Sequence, residues 1–316
     1  MFKKYALMKG FYIPFCKQYL YYDNNFIESP GINQKLFPTS QLTNKVICLS
    51  SSGTMKGLSV LMTNTISDYH TNGDTQCFPL YYYETREKQT MSLFDQSDER
   101  EEYVRRDGVS DWIWAQAQTR YGKRVTKEDL FYYVYGFLHS PIYRERFTAD
   151  LKKMLPRLPL VEEVRDFWAF SRIGKLLADL HVDYENVPAP HAERGVRVIG
   201  VDEAAAHNTA QFRVEQMRFP AKTDKSTILY NSRIRVEGIP AAAYDYVVNG
   251  KSAIEWVMER YAPSTHKDSG IHNDPNDWAL EQGKPRYILD LLLSVIHLSL
   301  KTVELVKQLP AVTFGE

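Results

Sequence analysis

Residues 126–160 read TKEDLFYYVYGFLHSPIYRERFTADLKKMLPRLPL, and the fold class turns on this stretch. Thr126 followed by Asp129 fits an N-terminal helix cap, because a hydroxyl can accept an orphan backbone amide while an acid three residues on returns a bond. The aromatic run then places Leu130, Phe131, Val134, Phe137 and Leu138 on one helical face, which predicts core burial. Ser140 before Pro141 is a second helix start, since proline at the first helical position gives up an amide that lacks a partner anyway. The second helix carries Arg144, Arg146, Lys152 and Lys153 over Ile142, Tyr143, Phe147, Leu151 and Leu155. Pro156 and Pro159 then impose an extended exit. An aromatic core helix leads into a basic amphipathic one. His139, at the junction, is expected to be a buried hydrogen-bonding residue rather than a base or a metal ligand.

The whole chain has 316 residues, 44% hydrophobic and 13% aromatic, enough to bury a full core in one large domain or two closely packed ones. Lys+Arg and Asp+Glu each number 39, so a strong free-standing DNA binder with a broad basic footprint is not indicated, and any nucleic-acid surface must be local. Cys16, Cys48 and Cys77 are too widely separated for a zinc ribbon and odd in number for a secreted disulfide framework. A reducing cytoplasm is therefore the expected home, and no membrane partner is expected, since no unbroken run of about 18 apolar residues occurs.

Working outward, FYIPFCKQYLYYD (11–23), VICLSS (46–51), LSVLMTN (58–64) and TQCFPLYYYE (75–84) are β-branched or aromatic and predict strands, with a turn between Gly53 and Gly57. Residues 84–108 alternate in charge and predict a surface linker, with Arg105-Arg106 a solvated pair balanced by Glu101 and Glu102 in preference to a phosphate contact. Asp111 precedes a short helix, WIWAQAQTRYG, that ends at Gly122. Residues 161–185 predict a long helix with Phe167, Phe170, Ile173, Leu176, Leu177 and Leu180 as its buried stripe. NVPAPHAERGVRVIG (186–200) is expected to be an exposed crossing. FRVEQMRFP, STILYN and RIRVEGIP predict a small antiparallel sheet over about 209–238, with Asn231-Ser232 at hairpin spacing. Residues 239–263 return to helix, with Asn249-Gly250 as a stop and Ser252 as the next cap. NDPNDWA (273–279) reads as a turn, and residues 285–310 as a long amphipathic helix.

These elements define an α+β protein. The expected sub-parts are a mixed α/β strand-rich 1–108, a central helical group 109–190, a small antiparallel sheet 191–240 and C-terminal helices 241–316. A doubly wound parallel sheet is not expected.

Several phrases in fixed order resemble one family: FYIPFCKQYLYYD, DLFYYVYGFLHSPIYRERF with LKKMLPRLPL after it, VNGKSAIEWVMERY, GIHNDPNDW and PRYILDLLL. They are similar to the C-terminal specificity domain of Type ISP restriction-modification enzymes, single polypeptides that join nuclease, helicase-like ATPase, adenine methyltransferase and target-recognition parts. The resemblance implies that the chain begins where the catalytic part of a longer enzyme ends. It implies recognition of double-stranded DNA beside the methyltransferase and helicase domains of the parent. It also implies that S-adenosylmethionine, ATP and Mg serve the parent enzyme rather than this chain.

The residues agree that no chemistry is carried here. There is no Asp/Asn-Pro-Pro-Tyr clamp for a flipped adenine, and NDPNDW has one proline and no tyrosine. GKS at 250–252 is not the end of a phosphate-binding loop, because the glycine required five positions before Gly250 is Asp245. No zinc-binding HExxH or Cys-x-x-Cys pair occurs, and Asp150-Leu-Lys152 on a helix is read as a solvated charge pair rather than part of a nuclease signature. No catalytic residue and no metal ligand is therefore assigned. Lys17, Arg144, Arg146, Lys152 and Lys153 are the candidate phosphate-positioning groups. Candidate base readers are the polar loops holding Ser52 and Lys56, Glu193, Arg194 and Arg197, and Lys222 and Lys225. The alternative is a protein-interaction module that docks a methyltransferase without reading bases, which the balanced charge favours.

Overall fold

In the computed structural model, residues 6–23, 25–27, 31–51, 56–86, 103–188, 195–205 and 208–314 are described. The chain divides into two compact units, Met1–Ile13 with Lys17–Ala178 and Gln308–Glu316, and Pro14–Cys16 with Asp179–Lys307. Small sheets alternate with helices in both, so the class is α+β.

In the first unit, β1 (Leu7–Ile13) lies between β2 (Cys16–Tyr21) and, after the short α1 (Asn33–Leu36), the parallel β5 (Ile66–Ser67). A second sheet sets β3 (Val46–Leu49) between β4 (Val60–Thr63) and β6 (Gln76–Pro79), both antiparallel to it. Val46, Ile47, Cys48 and Leu49 are all buried, as an unbroken apolar run covered on both faces demands. The stretch 75–84 is not one strand: Leu80 separates β6 from β7 (Tyr81–Thr85), which joins a different sheet. Its partner is β8 (Tyr103–Asp107), so the expected linker 84–108 closes on a strand. Arg105 stacks on the Tyr81 ring at 4.2 Å and Arg106 Nε donates to Glu84 at 2.9 Å. Glu84 therefore supplies the counter-charge; Glu101 and Glu102 lie outside the described residues.

The helices follow. They are α2 (Asp111–Tyr121), α3 (Lys127–Leu138), α4 (Pro141–Arg146), α5 (Thr148–Leu151) and α6 (Val164–Val182), the last belonging to this unit up to Ala178. α2 is capped by Ser110, one residue earlier than Asp111, and α3 by the expected Thr126–Asp129 box. Burial of α3 goes beyond one stripe, since Tyr132, Tyr133 and Tyr135 are as buried as Phe131 and Phe137. Tyr133 donates to Pro159 O, and from the neighbouring helices Tyr121 donates to Val161 O and Tyr143 to Arg157 O. Three phenols thus hold the proline-rich exit extended. Tyr121 stacks on Phe167 at 4.2 Å, and Phe314 meets Phe147 at 5.0 Å in the same aromatic cluster.

The basic amphipathic helix expected after Ser140 is corrected. It breaks at Phe147 into α4 and α5, Ile142 and Leu155 are exposed, and Lys152 and Lys153 lie in the turn beyond α5. The fault is one of period: only Tyr143 and Leu151 of the proposed stripe are fully buried, so no continuous apolar face existed to carry a longer helix. Leu176 of α6 likewise stands 50% exposed instead of completing its stripe.

In the second unit, β9 (Arg197–Ile199), β10 (Ile228–Leu229) and β11 (Arg235–Glu237) form an antiparallel sheet in the order β10-β11-β9. Its third strand comes from the stretch read as an exposed crossing, whereas FRVEQMRFP, which follows a 3-10 turn at Thr209–Phe212, gives one bridge, Arg218 to Leu229. The helix expected over 239–248 is also absent: a 3-10 turn at Ala241–Tyr244 is followed by β12 (Val247–Val248) and β13 (Lys251–Ser252). Asn249 and Gly250 join them with φ of 47° and 81°, so the dipeptide is a two-residue hairpin turn and not a helix stop. Ser252 then caps α7 (Ala253–Arg260) through a box with Glu255.

β14 (Ser264–Thr265) and β15 (His272–Asn273) follow, then α8 (Pro275–Glu281) where a turn was expected. Asp274 caps α8 and Pro275 opens it, a start signal hidden among turn-forming residues. α9 (Tyr287–Val306) is buried on most sides from Ile288 to Leu300. Phe15 completes this unit, 1% exposed, edge-on to Tyr184 at 5.5 Å and accepting from Tyr261 Oη at its carbonyl.

Candidate nucleic-acid interface

The sheet β10-β11-β9 sets out a row of side chains by its register alone. Ile228, Val236 and Val198 are paired across it, and Ile228 and Val236 are fully buried, so their face is the inner one. Alternation turns Leu229, Arg235 and Ile199, also mutually paired, outward. Arg218 extends this outer row, because its N–H and C=O both bond Leu229, at 3.1 and 2.8 Å, and directly opposed residues share a face. One step along, Glu237 pairs with Arg197. The outward face therefore carries Arg218, Arg235 and Arg197, with Glu237 beside the last two.

Glu237 divides its carboxylate. Oε1 accepts from Arg235 Nε while Oε2 lies 3.8 Å from Arg197 Nη2. The Arg235 and Arg197 side chains stay 49% and 66% exposed, and Glu237 is the more covered at 26%. The ladder is pinned at both ends by close backbone approach: a methyl on Gly200 (φ 92°) would stand 2.0 Å from Arg233 O, and one on Gly238 (φ 73°) 2.0 Å from Gly195 O. Only glycine fits either place.

Lys17 is half-exposed on β2, and Lys56 is exposed in the turn before β4. Ser52, Glu193 and Arg194 lie outside the described residues. Arg144 Nε donates to Leu138 O at 2.6 Å and so closes the C-terminal end of α3. Arg146 is exposed at the end of α4, and Lys152 and Lys153 are exposed just past α5. Lys222 sits in the tight turn from Ala221 to Asp224. Lys225 is committed within the fold: its Nζ bonds Glu255 at 2.8 Å and lies 5.3 Å from the centre of the Tyr244 ring. Among the described base-reading candidates, Arg197 alone stands on the arginine face.

Arg218, Arg235 and Glu237 were not selected from sequence. RIRVEG announces its alternation plainly, but the pairing of RVI with it, and of Arg218 with Leu229, exists only in three dimensions. The buried imidazole of His139 donates from Nδ1 to Tyr135 O at 2.8 Å, in the role expected of it. The tripeptide 250–252 begins in a hairpin turn and ends in a helix cap, so it does not form a cradle for nucleotide phosphates. Among the described residues no cluster of three or more His, Cys, Asp or Glu side chains is placed to hold a metal, and no helix is long and apolar enough to cross a membrane.

The outer face of the small sheet is a local basic patch of three arginines around one glutamate, on a chain of no net charge. The family profile described as the Type ISP C-terminal specificity domain matches residues 1–291, and the chain belongs to that family. It is similar over 100% of its length to the ATP-dependent Type ISP restriction-modification enzyme LlaBIII bound to DNA, with 34% identity and a TM-score of 0.83, covering 19% of that chain. A nuclease-deletion mutant of the Type ISP enzyme LlaGI, in complex with a DNA substrate mimic, matches with 35% identity and a TM-score of 0.79 over 100% of this chain and 26% of that one. DrdV, in a DNA complex, matches with 29% identity and a TM-score of 0.76 over 99% and 29%. The chain thus spans less than a third of the length of each of these structures. No curated protein matches it.

Proposed function

We propose that this chain recognises a DNA target for a restriction-modification polypeptide, holding duplex DNA for adenine methylation and licensing translocation and cleavage by other parts. The observation that carries the reading is similarity over the whole chain to enzymes solved with DNA, at 34% and 35% identity. The exposed arginine face of the second unit supports it from the side of chemistry. On this reading the chain is a non-catalytic module in the cytoplasm. Nuclease, ATPase and methyltransferase activities, with S-adenosylmethionine, ATP and Mg, belong to neighbouring parts of the parent.

The competing reading, a protein-docking module, draws on the balanced charge and on Trp112 and Phe26, which are 71% and 77% exposed. Salt separates the two. Each neutralised phosphate contributes a slope of about −0.9 to log K against log salt, so a DNA-binding chain loses affinity for a duplex steeply between 50 and 200 mM salt. Fluorescence anisotropy with a labelled duplex measures this. No duplex binding at low salt, or binding indifferent to salt, would favour docking.

A further inference from the structure

We infer that Arg235, braced by Glu237, reads a guanine edge in the target, and that Arg218 positions the neighbouring backbone. The assignment rests on the DNA-recognition reading above and names which face does the recognising.

A row of arginines facing a polyanion has a simple alternative explanation, that all of them bind phosphate. Two features of this face oppose it. The neighbours of Arg235 in its own row are Leu229 and Ile199, apolar side chains that offer phosphate nothing. More telling is Glu237, a carboxylate held between Arg235 and Arg197. Beside phosphate it repels the ligand and neutralises the cations meant to attract it.

For base reading the same carboxylate is useful. It accepts from Arg235 at Nε, which leaves the Nη donors outside that bond, and it fixes the direction of a long side chain that otherwise samples many rotamers. An oriented guanidinium matches the O6 and N7 acceptors of guanine, while the second carboxylate oxygen, 3.8 Å from Arg197, adds an acceptor that discriminates against the wrong base pair. Scale agrees as well. Strands lie about 4.8 Å apart, so Arg218 stands roughly 10 Å from Arg235 across the row, comparable with a major groove about 12 Å wide. One arginine can meet the groove floor while the other meets its wall.

The experiment is selection of bound duplexes from a randomised library by the purified chain, followed by sequencing, with anisotropy on one random duplex as a measure of general affinity. Circular dichroism confirms that each variant folds. Arg235→Lys keeps the charge and loses the fork, so preference at one or two guanine-containing positions falls roughly 5- to 150-fold while general affinity stays within about threefold. Glu237→Gln removes a charge that repels DNA, so general affinity rises while preference at the same positions weakens. Arg218→Ala weakens binding to all sequences alike and makes the salt slope shallower by about 1. The assignment is overturned if Arg235→Lys keeps the full preference, or if Glu237→Gln weakens binding uniformly. If the unaltered chain binds duplex DNA yet enriches no sequence, target reading by the isolated chain fails and the assignment falls with it. If it binds no duplex at all, the DNA-recognition reading itself is what fails.

Discussion

Gly136 of α3 and Gly174 of α6 meet where the two helices cross, and neither has room for a methyl group. A Cβ on Gly174 would lie 1.9 Å from Tyr132 O, and one on Gly136 would lie 2.3 Å from Phe170 O. Ser171 Oγ, donating to Asp129 O at 2.9 Å, ties the same pair of helices a turn away. Because the obstruction is backbone, no rotamer change relieves it. Gly174→Ala is expected to cost about 3 kcal/mol, the upper part of the range for overpacked cores, despite alanine's better helix propensity. Urea denaturation measures it, and an unchanged midpoint would contradict the close crossing.

Arg144 and Arg146 look equivalent in sequence and should behave differently. Arg144 is bonded to the last carbonyl of α3, whereas Arg146 is exposed. Arg144→Ala should destabilise the fold by roughly 1.5 to 3 kcal/mol, the worth of a hydrogen bond from a charged donor. Arg146→Ala should leave stability within about 0.5 kcal/mol, as surface changes do. Thermal melts of the two variants decide it, and any loss of DNA binding by Arg144→Ala must be read after correcting for unfolding.

His181 gives the protein an acid-sensitive term. Its ring is fully buried, stacked on Tyr246 at 5.0 Å with Nε2 2.9 Å from Thr302 Oγ1, and burial pushes its pKa down to about 3. The unfolded chain takes up a proton near pH 6.5 while the folded one does not, so this contribution is complete above pH 6.5 and is lost as pH falls toward 3. Between pH 7.5 and pH 5 the loss should be about 2 kcal/mol. His181→Gln should remove that slope, and equal pH dependence in the two proteins would show that other groups dominate.

Gly250 is expected to resist substitution although it is not in a core. Its φ of 81°, next to Asn249 at 47°, is the left-handed pair a two-residue hairpin requires. Gly250→Ala should cost about 1 to 2 kcal/mol, the penalty for placing a side chain there. Hydrogen exchange should show the loss first in β12 and β13.

That hairpin also shows what could be read from the sequence and what could not. Asn-Gly marks a break in the sequence, but the same dipeptide ends helices and turns hairpins, and only the pairing of Val248 with Lys251 chooses between them. Caps were legible where the signal is local: Thr126 with Asp129, Ser140 with Pro141, and Ser252 all start the helices assigned to them. The long helices 164–182 and 287–306 were legible because their apolar period is sustained. Short strands were not. Arg197–Ile199 is three residues in a Pro- and Gly-rich neighbourhood, and its partner lies far along the chain, so nothing local marks it. The arginine face depends on that strand and was hidden for the same reason.

The discontinuous make-up of the two units bears on how the chain is born. Phe15 is fully enclosed in the second unit although it is synthesised long before the rest of that unit, and Phe314 fills the aromatic cluster of the first after all of the second has been made. During translation the first unit must wait with Phe137, Tyr143 and Phe147 incompletely covered until residues 308–314 emerge. Nascent chains with only residues up to about 300 outside the ribosome would therefore present an exposed aromatic nest, and they should be markedly more open to protease than chains in which residues 308–314 have also emerged.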